Sequence, residues 1–267
     1  MVKKRRIDPL LIYAIFFLIF IYVPVLLLPL FSFNDSPYVA FPLKGFTLRW
    51  YEQMVAAEQL QRSLMNSIKV GAITAVISTL LGMMAALSFT RYKIRGRAAL
   101  NGFILLPLVI PSIILGVSIL VILRQFLDVS LSLWTIGAGH VLICTPFSML
   151  VLISRLEGFD RSLEEASLDL GENRFATFWR VTLPLALPGV VSSLLISFTT
   201  SFDEYVIASF LASSESTLPM YMWSQLRFPQ RLPEVLALGS CILMVSFVVI
   251  AFAEWYRRRG LTKPAVA

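Results

Sequence analysis

Apolar residues in this chain run in long, nearly unbroken blocks, without the period of two that marks a half-buried strand. A helix needs roughly 20 such residues to cross about 30 Å of hydrocarbon. Six stretches reach that length, near 10 to 31, 65 to 88, 100 to 123, 132 to 153, 187 to 211 and 233 to 256. The pattern predicts an all-α polytopic membrane protein with six transmembrane helices. Two polar intervals are long. The first, from Ser32 to Arg62, mixes turn formers with Phe41, Phe46, Trp50 and Tyr51, and Leu48 to Ala57 reads as a short helix lying at the membrane interface. Its aromatic residues are either an anchor or a contact for a partner.

The second interval, Asp160 to Pro188, is the longest charged run between two apolar spans. Ser162 with Glu165 has the spacing of a capping box, which predicts a short helix beginning at Ser162. Leu163, Ala166 and Leu170 then share a face, and Gly171 supplies a stop because glycine takes the left-handed conformation without a Cβ penalty. A second short helix follows, with Phe175, Phe178, Trp179 and Thr182 along one side and Arg174 and Arg180 among its polar positions. Pro184 and Pro188 close it ahead of the next span. Two short amphipathic helices at a glycine elbow form either a docking piece or an ordinary loop packed under the bundle.

Composition agrees with the membrane class, with 57% hydrophobic and 15% charged residues in 267. The formal charge of +7 reports topology rather than nucleic acid. With the N-terminus inside, sixteen of the 23 basic residues fall on the inner side, in clusters at Lys3 to Arg6, Arg91 to Arg97, Arg155 to Arg180 and Arg257 to Lys263. That places both termini and the second polar interval in the cytoplasm. The N-terminal basic cluster and apolar run read as an uncleaved first span, because no small-residue cleavage site follows. Cys144 and Cys241 both lie in spans, where they pack as small soft side chains.

Within the spans three features carry chemistry. Gly71, Ala72, Ala75, Ser78, Gly82, Ala85 and Ala86 make the second span a close-packing face. Pro107 and Pro111 predict a third span kinked or opened near its middle, either a solute path or a static kink. In the fifth span Ser193, Ser197, Thr200, Asp203 and Glu204 draw one polar stripe ending in two adjacent acids, with Thr199 a turn back and Phe198 and Phe202 as aromatic walls. Asp203 meets either a cationic solute or a positive group of a partner. His140, the single histidine, reads as a hydrogen-bonded structural residue; no metal site is predicted.

No phosphate-binding G-x-x-x-x-G-K-[ST] loop, nucleophile elbow or H-E-x-x-H pair is present, so catalysis by this chain has little to work with. Energy comes from a partner or from an ion gradient. Glu165-Ala166-Ser167, then Gly171, then Val181-x-Leu183-Pro184 is similar to the EAA loop of binding-protein-dependent ABC importer permeases, with Ser167 and Val181 as conservative departures. The resemblance implies a MetI-like type I permease fold whose loop, 158 to 186, docks on a cytoplasmic ATPase through Glu164, Glu165, Ala166, Ser167, Gly171, Leu183 and Pro184. It also implies a division into an N-terminal portion 1 to 62, a permease core 63 to 256 and a tail 257 to 267.

Further text, including SRLEGFD at 154 to 160, SFTTSFDEYVIASF at 197 to 210 and PEVLALGS at 233 to 240, resembles the spermidine/putrescine branch. That implies a bacterial inner-membrane subunit with no cofactor of its own. Its partners would be a second homologous permease, two ATPase subunits that bind the ATP, and a periplasmic solute-binding protein. Its solute path would include Asp203, Glu204, Thr199, Thr200 and Phe202. Permeases for iron, phosphonate or opines share much of this text, and an ion-coupled carrier is the remaining class. A carrier usually shows two homologous halves, and this chain holds one such loop.

Overall fold

The computed structural model describes residues 9–260. The basic residues Lys3, Lys4, Arg5, Arg6 and Lys263 lie outside them. The chain runs α1 (Pro9–Ser32), α2 (Arg49–Ala56), α3 (Glu58–Arg91), α4 (Arg97–Val109), α5 (Ser112–Val121), α6 (Leu133–Glu157), α7 (Ser162–Asp169), α8 (Arg174–Thr177), α9 (Leu183–Asp203), α10 (Val206–Leu211), α11 (Leu218–Gln225) and α12 (Leu232–Gly260). Among the described residues, five helical runs are long and apolar enough to cross a membrane. They become six if α4 and the run Ser112–Phe126, bent by 102° at the break between them, count as one span. The opening expected at Pro107 and Pro111 is therefore a full break, in which Ile110 and Pro111 leave the helical region and α5 starts afresh.

The described chain falls into two compact units, one from Gln59 to Tyr221 and one made of the segments up to Glu58 and from Met222. In the first, α6 packs along α9, and α5 and α10 pack on each other. Val70, Leu115, Ile136, Ile143, Ile207 and Leu211 fill one cluster; Met83, Ala86, Leu152, Leu156 and Ala186 fill another toward the 160–182 loop. Helix α3 contributes the small-residue face, narrower than expected. Gly71, Ala75, Ser78, Gly82 and Ala86 are buried, whereas Ala72 points outward. Gly82 decides the approach to α6, because a Cβ there would sit 2.6 Å from Cβ of Ser148. In lipid such contacts depend on packing rather than on escape from water.

In the second unit α12 packs against α1 and α2. The interval after α1 is folded rather than loose. Trp50 is buried and donates its indole N–H to the Asn34 carbonyl at 2.8 Å, Tyr51 and Ser32 share a hydroxyl hydrogen bond of 2.7 Å, and Phe33 stacks on Phe46 at 4.9 Å. The short helix appears as expected at Arg49–Ala56. Trp50, however, is a core residue of this unit, neither a membrane anchor nor an outward contact.

Pro184 and Pro188 do not close the loop's second helix. A wide turn, Phe178–Thr182, joins α8 to α9, with Leu183 N–H bonded five residues back to Phe178. Residues Arg174–Asp203 thus form one helical run of 30 residues. Pro184, which has no N–H to donate, follows directly on that wide turn, at the second position of α9.

Candidate functional site: the linking loop and the polar seam of α9

The loop from Asp160 to Thr182 begins with a cap, but not the one expected. Asp160 Oδ1 accepts the Ser162 backbone N–H at 3.0 Å, so Ser162 is already inside α7 and forms no capping box with Glu165. Two cap formers compete here, and the aspartate reaches the free amide first. The hydrogen bonds from Ser162 hold the exposed Asp160 carboxyl below its ordinary range. Glu165 is left exposed, its side chain making no hydrogen bond or ion pair among the described residues.

Gly171 ends α7 as anticipated, at φ +90°, with Gly171 N–H returning to Leu168 at 2.9 Å. Asn173 then caps α8 by accepting Ala176 N–H at 2.8 Å, and Ser167 and Thr177 join the two helices at 3.0 Å. The aromatic side of the second helix splits. Phe178 packs against the core and Thr182 is buried, whereas Phe175 (73% exposed) and Trp179 (54%) face outward with Leu163 and Leu170. These four side chains leave apolar surface exposed on a polar loop.

Glu164 is the loop's engaged acid. It reaches Arg91 at the end of α3, Oε2 lying 2.8 Å from Nε and Oε1 3.1 Å from Nη2, and Oε1 also accepts the Thr182 hydroxyl at 2.6 Å. Arg161 donates to the Thr90 carbonyl, and Arg174 reaches the Tyr92 hydroxyl at 3.4 Å. A cavity of about 420 Å³ opens among these groups. Leu183 and Pro184 lie just beyond, in the first turn of α9.

The stripe expected on the fifth span is two faces, not one. Ser193, Ser197 and Ser201, at spacings of four, are buried. They meet Thr79 at 2.9 Å, Ser148 at 2.8 Å and His140 Nδ1 at 2.7 Å, and Cys144 Sγ reaches the Ser197 carbonyl at 3.6 Å. This ladder holds α9 to α3 and α6. Ser201, Ser148 and Thr79 are absent from the sequence reading, although serine every fourth residue on α9 facing His140, Cys144 and Ser148 at the same interval on α6 is a usable signal.

Thr199 and Asp203 lie on the exposed side, with Thr200 half-buried. Phe202 is half-buried and stacks on Phe198 with centroids 5.7 Å apart. The fifth span is not continuous either. Helix α9 stops at Asp203, and Glu204 turns into extended backbone. Its Oε1 and Oε2 accept the amides of Ile207 and Ala208, each at 3.0 Å, which starts α10. Oε2 also lies 3.3 Å from His140 Nε2, an ion-pair distance. The Asp203 side chain has no hydrogen bond or ion pair among the described residues. The neighbouring acids therefore face different tasks, Glu204 inward as a cap and Asp203 outward.

Residues 78–260 match the family described as the binding-protein-dependent transport system inner membrane component. The chain is 32% identical over 242 residues to the spermidine/putrescine transport system permease protein PotC of Haemophilus influenzae, covering 90% of this chain and 93% of that protein. It is 34% identical over 244 residues to the putrescine transport system permease protein PotI of Escherichia coli K12, covering 89% and 86%. Among solved structures, a chain of a bacterial ABC transporter involved in import of the acidic polysaccharide alginate superposes with a TM-score of 0.74 at 17% identity, over 92% of this chain and 94% of that one. A chain of the MetNI methionine ABC transporter does so with a TM-score of 0.58 at 20% identity, over 82% and 100%. These two likenesses speak for the fold. With the family match over more than half its length and relatives above 30% identity along nine-tenths of it, the chain belongs to the binding-protein-dependent transport system inner membrane components.

Proposed function

We propose that the chain is the second-type permease subunit of an ATP-driven importer for polyamines, the class named for its 32–34% identical relatives. In this reading the loop and both termini are cytoplasmic, and the chain itself is not an enzyme. It pairs with a different permease subunit to enclose the path and receives solute from a periplasmic binding protein. Two ATPase subunits drive it through Glu164, Glu165, Ala166, Ser167, Gly171, Leu183 and Pro184. The permease core runs from 63 to 256, flanked by the portion 1 to 62 and the tail 257 to 267.

One observation carries the substrate half: Asp203 stands exposed and unpaired at the last turn of α9, beside the stacked Phe198 and Phe202. A carboxylate next to the free carbonyls at a helix C-terminus makes a locus that attracts cations. An acid at membrane depth is costly without a positive companion. A linear amine supplies that companion in passing, with the two aromatic rings and Thr199 and Thr200 along its path. Glu204 contributes by holding the end of α9 in place.

Uptake of labelled putrescine and spermidine by an Asp203→Asn complex tests this reading. The variant is expected to assemble with its partners at parental levels and to lose most uptake, because the amide keeps shape and removes charge. Parental uptake would remove Asp203 from the path. Failed assembly would make it a subunit contact instead.

A further inference from the structure

We infer that Arg91, Glu164 and Thr182 form a clamp that carries motion of the linking loop into the membrane helices; this rests on the reading of that loop as the ATPase-docking piece. Three elements meet at one carboxylate. Arg91 is the last residue of α3, Glu164 stands in the first turn of α7, and Thr182 ends the wide turn that opens α9. The arginine and glutamate side chains are only 14% and 15% exposed, and the Phe159 ring lies 4.9 Å from the guanidinium. Water therefore competes weakly for the pair, and its strength and direction exceed those of a surface ion pair.

Neighbouring residues of α7 divide the work. Successive side chains on a helix point about 100° apart. Glu164 faces inward to the clamp, while Glu165 stands exposed beside the outward Leu163. A partner pressing on the outer side of that turn loads α3 and α9 through the inner side. The clamp is also built to rearrange. Nε of Arg91 lies close to the carboxylate but off line for a hydrogen bond, and Nη1 is buried without one. The adjoining cavity leaves room for α7 to shift, and a wide turn such as Phe178–Thr182 often marks a functional site. Arg161 and Arg174 tie the loop to Thr90 and Tyr92 independently of Glu164, so the loop keeps its place when the clamp is cut.

The test uses the complete complex in proteoliposomes, with two readouts: ATP hydrolysis stimulated by the binding protein, and uptake of labelled putrescine or spermidine per ATP. Glu164→Met and Thr182→Val roughly keep shape and remove the clamp's bonds; Arg91→Glu and Glu164→Arg reverse its charges. Because the Glu164 side chain faces inward on Arg91 and Thr182, away from the outer side that Leu163 and Glu165 present, all four are expected to retain the ATPase subunits. Each single charge reversal is expected to lower uptake per ATP about fivefold or more, and the double reversal R91E/E164R to return it to within about twofold of the parent. Unchanged uptake per ATP in both Glu164→Met and Thr182→Val overturns the clamp, whatever the reversals do. Loss of the ATPase subunits overturns it too, since the trio would then shape the docking surface rather than transmit. A parental complex that shows no ATP-dependent uptake defeats the transport reading itself and takes the clamp with it, an outcome visible before any variant is made.

Discussion

Each end of helix α9 meets a half-buried carboxylate, and the two are held in opposite ways. Glu204 bonds to the amides of Ile207 and Ala208, three and four residues onward, and lies against His140. Glu164 bonds to Arg91 and Thr182, which are 73 and 18 residues away. A carboxylate that satisfies its own following turn is a fixture of local structure, because breaking it strands backbone donors. One that joins side chains from separate helices can be released and remade. The far end of α9 is thus anchored, and its loop end is geared.

The largest expected effect breaks the anchored end. Glu204→Ala leaves a buried histidine and two amides without their partner and is expected to cost about 3 kcal/mol, read as a lower unfolding temperature in detergent. Glu204→Gln, which keeps one acceptor oxygen, is expected to cost less. If the alanine variant melts with the parent, Glu204 is not a cap and the contrast between the two ends fails.

A step smaller is Gly171→Val at the geared end. The native φ of +90° is one that L side chains rarely adopt, although the space around the Cβ position is open, so the substitution acts through backbone strain of about 1–2 kcal/mol. The expected result is intact insertion and folding with uptake uncoupled from ATP hydrolysis. Parental uptake in a normally inserted variant would show that the elbow's shape does not matter to docking.

Ser197→Ala sharpens the comparison from the seam between the ends. The lost bond to Ser148 is expected to cost about 0.6 kcal/mol, the usual size for hydroxyl pairs between membrane helices. A double-mutant cycle with Ser148→Ala reads that term directly. A coupling well above it would mean that the ladder acts as one cooperative unit.

The smallest effect is the pH response of the α7 cap. The Asp160 carboxyl is held below its ordinary range when folded. Its contribution is therefore fully present above the unfolded value of about 3.9 and is lost as pH falls through the lower folded one. Amide exchange at Ser162, corrected for its intrinsic pH dependence, is expected to show constant protection from neutral pH to about 5 and progressive loss only in stronger acid. Loss beginning near neutral pH would assign the cap to another group.

What the sequence made legible follows from how each feature is encoded. The long apolar blocks predict the spans because length and hydropathy alone decide them, and Gly171 is readable because a left-handed helix stop selects its residue type. The break at Glu204 is hidden, since no proline or glycine interrupts the apolar text and the cap works through an acid that the same text presents as a path residue. At Ser162 two cap formers stood two residues apart, and only geometry chose Asp160. Phe175 and Phe178 look alike in a helical pattern, yet the core takes one and leaves the other exposed. The pairing of Arg91 with Glu164 joins residues far apart in the chain, and no local rule connects them.

The most direct measurement is accumulation of labelled putrescine and spermidine in proteoliposomes that carry this chain with its partner permease, ATPase and binding protein. The expected result is uptake that needs ATP, the binding protein and this chain together, and that is indifferent to an imposed proton or sodium gradient. Uptake that proceeds without ATP and follows such a gradient would contradict the loop's role and make the chain an ion-coupled carrier.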